Sequence, residues 1–253
     1  MNSQTTFQLG TLYLIPNTLG VYGTDGAQDT LRAVLAPQVV ETTARLQHFV
    51  VETAKVARQF LKAVGTQTPL QELQLTELNV KTPDAAVKDM LAPLLAGHDV
   101  GLLSDAGCPA VADPGARLVE AAHAADVRVV PLVGPSSLLL ALMGSGLNGQ
   151  KFAFHGYLPI DAAARLKEVK RLESESKAHA QTQLFIETPY RNMQLLDTLL
   201  KTLNANTQLC VAADLTLPSE TIRMHRVGEW QKRLKQGQGL ELNKRPSIFL
   251  FLA

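Results

Sequence analysis

Ser104–Gly115, SDAGCPAVADPG, places two aspartates, two glycines and two prolines in twelve residues. Its glycines permit φ > 0 and let backbone come close to a ligand, while its prolines fix the turn at small entropic cost. Asp105 and Asp113 offer carboxylates to ligand hydroxyls, or else cap the following helix and the turn itself. A second loop, Gly134-Pro135-Ser136-Ser137, offers hydroxyls and backbone N–H groups at a helix start, where a polar head group is favoured. The plainer use of Ser136 is an N-cap. Neither loop carries G-K-[ST], which argues against a nucleoside triphosphate. The chemistry that fits is the holding of a small molecule or cofactor.

Each loop follows an apolar strand, Val100–Leu103 or Val127–Leu132, and leads into a helical pattern, Arg117–Ala125 or Ser137–Met143. Open α/β sheets bind ligands beyond the carboxyl ends of their strands. Two such loops one βα unit apart can face one ligand. Upstream, Gly10–Pro16 reads as a strand stopped by a proline that cannot join a ladder. Asn17–Gly26 reads as a loop able to reach over a site. Asp29–Leu35 and Ala36–Val40 read as a helix ended by Pro37, Gln47–Val51 as a strand, and Glu52–Val64 as a helix closed by Gly65. Leu70–Val80 is ambiguous, and Pro83–Ala96 reads as a helix between Pro83 and Gly97. The rhythm predicts right-handed crossovers and a mostly parallel sheet.

Beyond Gly144–Gly149 the rhythm changes. Phe152–Leu158, Thr182–Ile186, Gln208–Leu215, Ile222–Val227 and Ser247–Leu252 read as strands. Ala162–Ala180, Pro189–Asn204 and Glu229–Gln236 read as helices. The predicted fold class is α/β in two lobes, 1–145 with a mostly parallel sheet and 146–253 with a mixed one, and a cofactor cleft between them. Gly144–Gly149 (GSGLNG) matches G-x-G-x-x-G, yet a helix precedes it and a strand follows, the reverse of the dinucleotide fingerprint. Its glycines read as a helix stop and a connection.

At 253 residues with 46 % hydrophobic and 19 % charged residues, the chain is ordinary globular material. A net charge of +1 supplies no global field towards nucleic acid, so such a partner must meet a local patch. Cys108 and Cys210 cannot make a disulfide framework and lack metal-ligand spacing. No apolar run approaches the roughly 18 residues of a membrane span, and no signal-peptide pattern opens the sequence. The expectation is a cytoplasmic protein.

Taken in chain order, LYLIP at 12–16, SDAGCPAVADPG and VVPLVGPSS at 129–137 closely resemble the tetrapyrrole methylase family of S-adenosylmethionine-dependent methyltransferases. FAFHGYLP at 152–159, IETPYR at 186–191 and AADLTLPSE at 212–220 extend the resemblance over most of the chain. Within the family these segments are most similar to the branch that methylates a ribose 2′-hydroxyl in small-subunit ribosomal RNA. The resemblance implies S-adenosyl-L-methionine as cofactor, an RNA acceptor and a homodimer. It puts cofactor contacts at Pro16 and Leu19, at Asp105, Gly107, Cys108 and Val111, and at Gly134, Ser136 and Ser137. Further contacts would come from Thr188, Tyr190, Ala212, Ala213 and Pro246.

The sequence departs from that branch where an RNA would be gripped. A-E-D-T-R-H-T is here Val51–Ala57, keeping Glu52 and one basic residue but departing at Thr53, and R-E-L-T-K is Ala213–Leu217, which lacks both the arginine and the lysine. A tetrapyrrole, another RNA or a protein side chain therefore stays open as acceptor, as does a cofactor-binding protein without catalysis. An alcohol acceptor must lose a proton, which Glu52, Asp29, Glu187 or Lys55 could take. Asp29 and Glu52 also suit helix starts, Lys55 a solvated face, and Glu187 the end of a strand. Arg191, a cation at a helix start, faces either an anionic ligand or Glu187. Arg165, Lys167, Lys170, Arg171 and Lys177 interleave with glutamates and read as a solvated face. The set Arg223, His225, Arg226, Lys232, Arg233 and Lys235 is more purely basic and suits phosphates. His155, on an apolar strand, reads as a satisfied core histidine.

Overall fold

The computed structural model describes residues 8–20 and 27–253, apart from the side chains of 27–30. The chain forms two compact units, Met1–Ser136 and Ser137–Ala253.

The first unit runs β1 (Thr11–Ile15), α1 (Ala27–Val34), α2 (Pro37–Arg45), β2 (His48–Val51), α3 (Ala54–Val64), β3 (Gln74–Glu77), α4 (Asp84–Asp89), α5 (Ala92–Leu95), β4 (Val100–Leu103), α6 (Ala116–Ala124) and β5 (Arg128–Pro131). Its five strands lie in the order β3-β2-β4-β1-β5, every pair parallel. Successive side chains alternate between two helical layers. Ile15, Phe49, Val51 and Leu103 pack with Leu31, Val39, Phe60 and Leu61. Leu12, Val50, Val100 and Leu102 pack with Val87, Leu94, Leu118 and Ala122 on the other face. Gly101 sits where a Cβ would lie 2.6 Å from Ile15 and 2.8 Å from Phe49, so the strand gives up a side chain to close the core.

At two prolines the helices depart from the sequence expectation. Pro37 opens α2 instead of ending α1, because its missing N–H is an orphan at a first helical position anyway. The predicted helix Pro83–Ala96 breaks into α4 and α5, with Pro93 in the first turn of the second piece. The ambiguous stretch Leu70–Val80 contributes the edge strand β3.

The second unit runs α7 (Ser137–Ser145), β6 (Phe152–Tyr157), α8 (Ala162–His179), β7 (Thr182–Ile186), α9 (Asn192–Thr202), β8 (Gln208–Ala213), β9 (Thr221–Arg226), α10 (Val227–Lys235) and β10 (Ser247–Leu252). Its sheet has the order β6-β7-β10-β8-β9, parallel only between β6 and β7. One face packs Phe185, Leu209, Val211, Phe249 and Phe251 against α8, α9 and α10. Trp230, wholly buried, donates its indole N–H to the Leu209 carbonyl at 2.9 Å, so this large ring buries no orphan donor. On the opposite face lies α7, expected at the end of the first lobe; it packs against β8, β9 and β10. Gly144 permits this, because a Cβ there would stand 2.5 Å from Ile222.

GSGLNG closes α7 at Ser145 and turns through Gly146, at φ +70°, before β6 begins. His155 bonds Gln183 at 2.6 Å, a satisfied histidine. Arg171 pairs with Glu168 and Glu175 on an exposed face as expected, but Arg165 does not belong to that face. It is buried, and its guanidinium donates to the Ile160 carbonyl at 3.1 Å. Among the described residues no helix is long and apolar enough to cross a membrane.

Candidate active site

The chain leaves β1 for β2 by passing β4, and leaves β4 for β5 by passing β1. The loops after these neighbouring strands therefore diverge, which makes a topological switch point where open α/β sheets bind ligands. The diverging loops are stitched together. Asn17 donates its backbone N–H to the Gly107 carbonyl at 2.8 Å, and Gly107 donates back to Thr18 at 3.3 Å. The Asn17 amide donates to the carbonyls of Ser104 and Asp105, each at 3.1 Å. Asn17 and Thr18 are buried, and Pro16 beside them is buried too. Gly107 is at φ +69°, a conformation that favours glycine, and a Cβ there would come 3.2 Å from Leu19.

The loop after β5 closes on the same place. A Cβ on Gly134 would fall 2.2 and 2.3 Å from the Pro16 ring, so only glycine lets the two loops touch. The Cys108 thiol lies 3.5 Å from the Pro135 carbonyl, and burial pushes that thiol above its ordinary pKa. Val111 is half exposed. The predicted N-cap by Ser136 does not form: among the described residues the hydroxyls of Ser136 and Ser137 have no protein partner. Pro16, Leu19, Asp105, Gly107, Cys108, Gly134 and Ser136 thus gather in one cluster, with Ser137 next in sequence.

An acidic group completes this edge. Glu52, just after β2, accepts the Asp105 N–H at 3.1 Å, and Thr53 donates its hydroxyl to the Asp105 carboxylate at 2.8 Å. Asp113 accepts N–H groups of Ala110 and Gly115 at 2.9 and 2.7 Å, the turn-forming use foreseen for it. Burial raises the Glu52 carboxyl above its ordinary pKa; the Asp105 amide pulls it down, and the Asp105 and Asp113 carboxylates push it further up. Lys55 stands exposed on the first turn of α3. Asp29 lies in α1, with its side chain outside the described residues.

In the second unit, the ends of β7 and β8 and the start of β10 meet at one sheet edge. The Glu187 carboxylate, almost wholly buried, accepts from the Thr188 amide at 2.6 Å and from Arg191 at 2.6 and 3.0 Å. Of the two partners foreseen for Arg191, the structure gives it Glu187. Because the carboxylate is buried, Arg191→Ala is expected to cost about 3 kcal/mol by stranding it, measured by urea unfolding at pH 7. Tyr190 is exposed, Ala212 and Ala213 are buried inside β8, and Pro246 is exposed at the start of β10. The Pro246 carbonyl accepts the Asp214 amide at 3.0 Å, and Asp214 binds Arg245 and Ser219 at 2.7 and 2.9 Å. Asp214 and Thr216 hold positive φ, so the segment that lacks the branch's arginine and lysine is a tight, internally bonded turn.

Sequence reasoning missed Asn17 as the clasp between loops. Its only signal was a short polar residue directly after a strand-ending proline. Thr53 was singled out as a departure, and its bond to Asp105 is visible only in three dimensions.

The sequence pattern of the family described as Tetrapyrrole (Corrin/Porphyrin) Methylases matches residues 25–231. The chain is similar to "Ribosomal RNA small subunit methyltransferase I" of Xylella fastidiosa, 31 % identical over 84 % of this chain and 71 % of that protein. The protein of the same name from Escherichia coli O157:H7 is 30 % identical over 90 % of this chain and 73 % of its own length. That from Micromonospora olivasterospora is 34 % identical over 90 % and 67 %. Among solved structures, uroporphyrin-III-C-methyltransferase from Thermus thermophilus aligns at TM-score 0.52 and 20 % identity, over 96 % of this chain and 92 % of that one. The methyltransferase CobJ aligns at TM-score 0.60 and 17 % identity, over 95 % and 93 %. At these identities the structures share the fold.

Proposed function

This chain belongs to the tetrapyrrole methylases, S-adenosylmethionine-dependent methyltransferases, and we propose that it methylates a ribose 2′-hydroxyl of small-subunit ribosomal RNA. The observation that carries the acceptor is the run of relatives named for small-subunit ribosomal RNA, matched over most of this chain. The family resemblance supports a homodimer, and an acceptor in the small ribosomal subunit fits a cytoplasmic protein.

The residues at the first unit's switch point fit the cofactor. Carboxylates at Asp105 and Asp113 give the edge a negative potential suited to a sulfonium cation. The hydroxyls of Ser136 and of Ser137 next in sequence, unpartnered among the described residues, and the backbone around Gly107 and Gly134 suit ribose and amino-acid polar groups. Leu19 and Val111 supply apolar surface. When bound, the cofactor supplies an activated methyl group, so the protein's main work is positioning. Glu52 is the proton acceptor this edge offers: it is half-buried, held by the Asp105 amide, and burial moves its pKa upward, which strengthens it as a base. As the acceptor oxygen gains the methyl group, its proton passes to the Glu52 carboxylate. Asp105, fixed by Thr53, is a positioning residue for that carboxylate.

The test is transfer of label from tritiated S-adenosylmethionine into fractionated lysate from cells that lack the protein. Label in small-subunit ribosomal RNA, recovered as a 2′-O-methyl nucleoside, is the expected result. Label only in another RNA, in a tetrapyrrole or in protein replaces the acceptor. Binding without transfer replaces the enzyme reading.

A further inference from the structure

β9 is the outer strand of the second sheet, so one backbone edge of it is left without a strand partner. Beside it, and reaching the turn after α10, lies a groove of about 680 Å³ whose lining includes Arg223, His225, Arg233 and Gln238. Residues 221–238 carry five arginines and lysines against the single carboxylate of Glu229, in a chain whose net charge is only +1. That carboxylate is taken by Arg233 at 3.0 Å. Arg226 spends its guanidinium on the neutral Asn206 carbonyl at 2.6 Å, so its charge is not cancelled. Arg223, Lys232 and Lys235 are exposed and have no ion-pair partner among the described residues. The fixed feature of the groove is His225, set edge-on to the buried Trp230 with ring centroids 5.2 Å apart. Burial and the Arg233 and Arg223 charges lower its pKa, against a smaller opposing pull from Glu229, which favours the neutral ring.

Exposed cations without an ion-pair partner among the described residues, a neutral imidazole and free strand backbone together suit a chain of phosphodiesters with hydroxyls between them. Cations meet phosphates, and uncharged donors and acceptors meet 2′-hydroxyls. We propose that this β9–α10 groove binds the sugar-phosphate backbone of the RNA acceptor. The proposal rests on the RNA reading above and adds a place for the RNA on the second unit. An acidic peptide added to the free edge of β9 would be a different occupant.

The test compares two triple variants of the full chain, Arg223→Gln/Lys232→Gln/Lys235→Gln, one cation lining the groove and two on the α10 helix beside it, and Lys167→Gln/Lys170→Gln/Lys177→Gln on α8. Both remove three exposed cations. Affinity for small-subunit ribosomal RNA transcribed in vitro is measured from 50 to 300 mM KCl, with cofactor affinity by calorimetry. Three lost phosphate contacts should reduce the slope of log K against log salt by about 2 in the groove variant. RNA affinity at 100 mM should fall at least tenfold, with cofactor affinity unchanged and the α8 variant near wild type. An unchanged groove variant, or an equal loss in both, overturns the proposal; if wild type still methylates RNA, the acceptor reading stands without it. Wild-type protein that neither binds nor methylates this RNA defeats both.

Discussion

Gly134→Val is expected to weaken S-adenosylmethionine binding at least 100-fold, about 2.8 kcal/mol, while leaving the fold in place. The cause is space. Gly134 is not in the left-handed region, so a β-carbon is allowed by its backbone and refused by its neighbours. That carbon would sit 2.2 and 2.3 Å from two atoms of the Pro16 ring and 3.3 Å from Leu35. Nonbonded carbons rest about 3.5–4.0 Å apart, and a proline ring tied to its own backbone cannot swing aside as a leucine tip can. The loop after β5 must therefore lift by more than 1 Å. Pro135, Ser136 and Ser137 lift with it, and the Pro135 carbonyl leaves Cys108. Overpacking of this kind costs roughly 1–3 kcal/mol of stability, so circular dichroism should report a folded, somewhat less stable protein. Ser137→Ala, which removes one hydroxyl and disturbs no packing, should lose only about tenfold or less. Calorimetry on the two variants separates geometry from a single hydrogen bond. Gly134→Val binding the cofactor as tightly as wild type removes these loops from the site.

The contrast between Gly134 and Asn17 shows which parts of the site were legible before folding. Gly134 stands in a loop of small residues after an apolar strand, a local pattern that announces close backbone approach. Asn17 follows a different strand, and its carbonyl partners lie 87 and 88 positions away; no local pattern encodes that distance. The fold follows the same division. Strands with strong period and clear stops, Thr182–Ile186 and Ser247–Leu252, coincide residue for residue with β7 and β10. Pro37 and Pro93 misled the reading because proline both stops a helix and starts one, and only the packing of the next segment decides. Arg165 looked solvated because its neighbours in sequence are charged, yet it is buried, with one guanidinium nitrogen donating to main-chain carbonyls at Pro159 and Ile160 and Nε left without a partner among the described residues. The placement of α7 was settled by shape: an apolar helix joins whichever sheet leaves room for it, and Gly144 makes that room beside Ile222.

Glu52→Gln should abolish most turnover without destabilising the protein, and the combination is what marks a proton acceptor. The amide keeps an oxygen able to accept the Asp105 N–H but can no longer take a proton from an alcohol. A general base contributes about 10²–10⁴-fold, so the transfer rate is expected to fall at least 100-fold with cofactor affinity nearly unchanged. Stability should move the other way. The folded-state pKa of Glu52 lies above its unfolded value, chiefly through burial. Its favourable contribution is then complete below the unfolded carboxylate range, about 4.3, and is lost as pH rises through the raised folded value. Above that folded value the wild-type protein carries a charged, half-buried carboxylate beside Asp105 and Asp113; the glutamine variant does not. Urea unfolding should therefore find the variant at least as stable at pH 7, with its advantage fading towards pH 4. Wild-type turnover should rise with pH through an apparent pKa above that of an ordinary glutamate, and the residual activity of the variant should lack that rise. A merely structural Glu52 would show the reverse pairing, with stability lost at pH 7 and the pH profile retained. A variant with turnover within threefold of wild type would take the base role from Glu52 and leave the acceptor's proton to solvent.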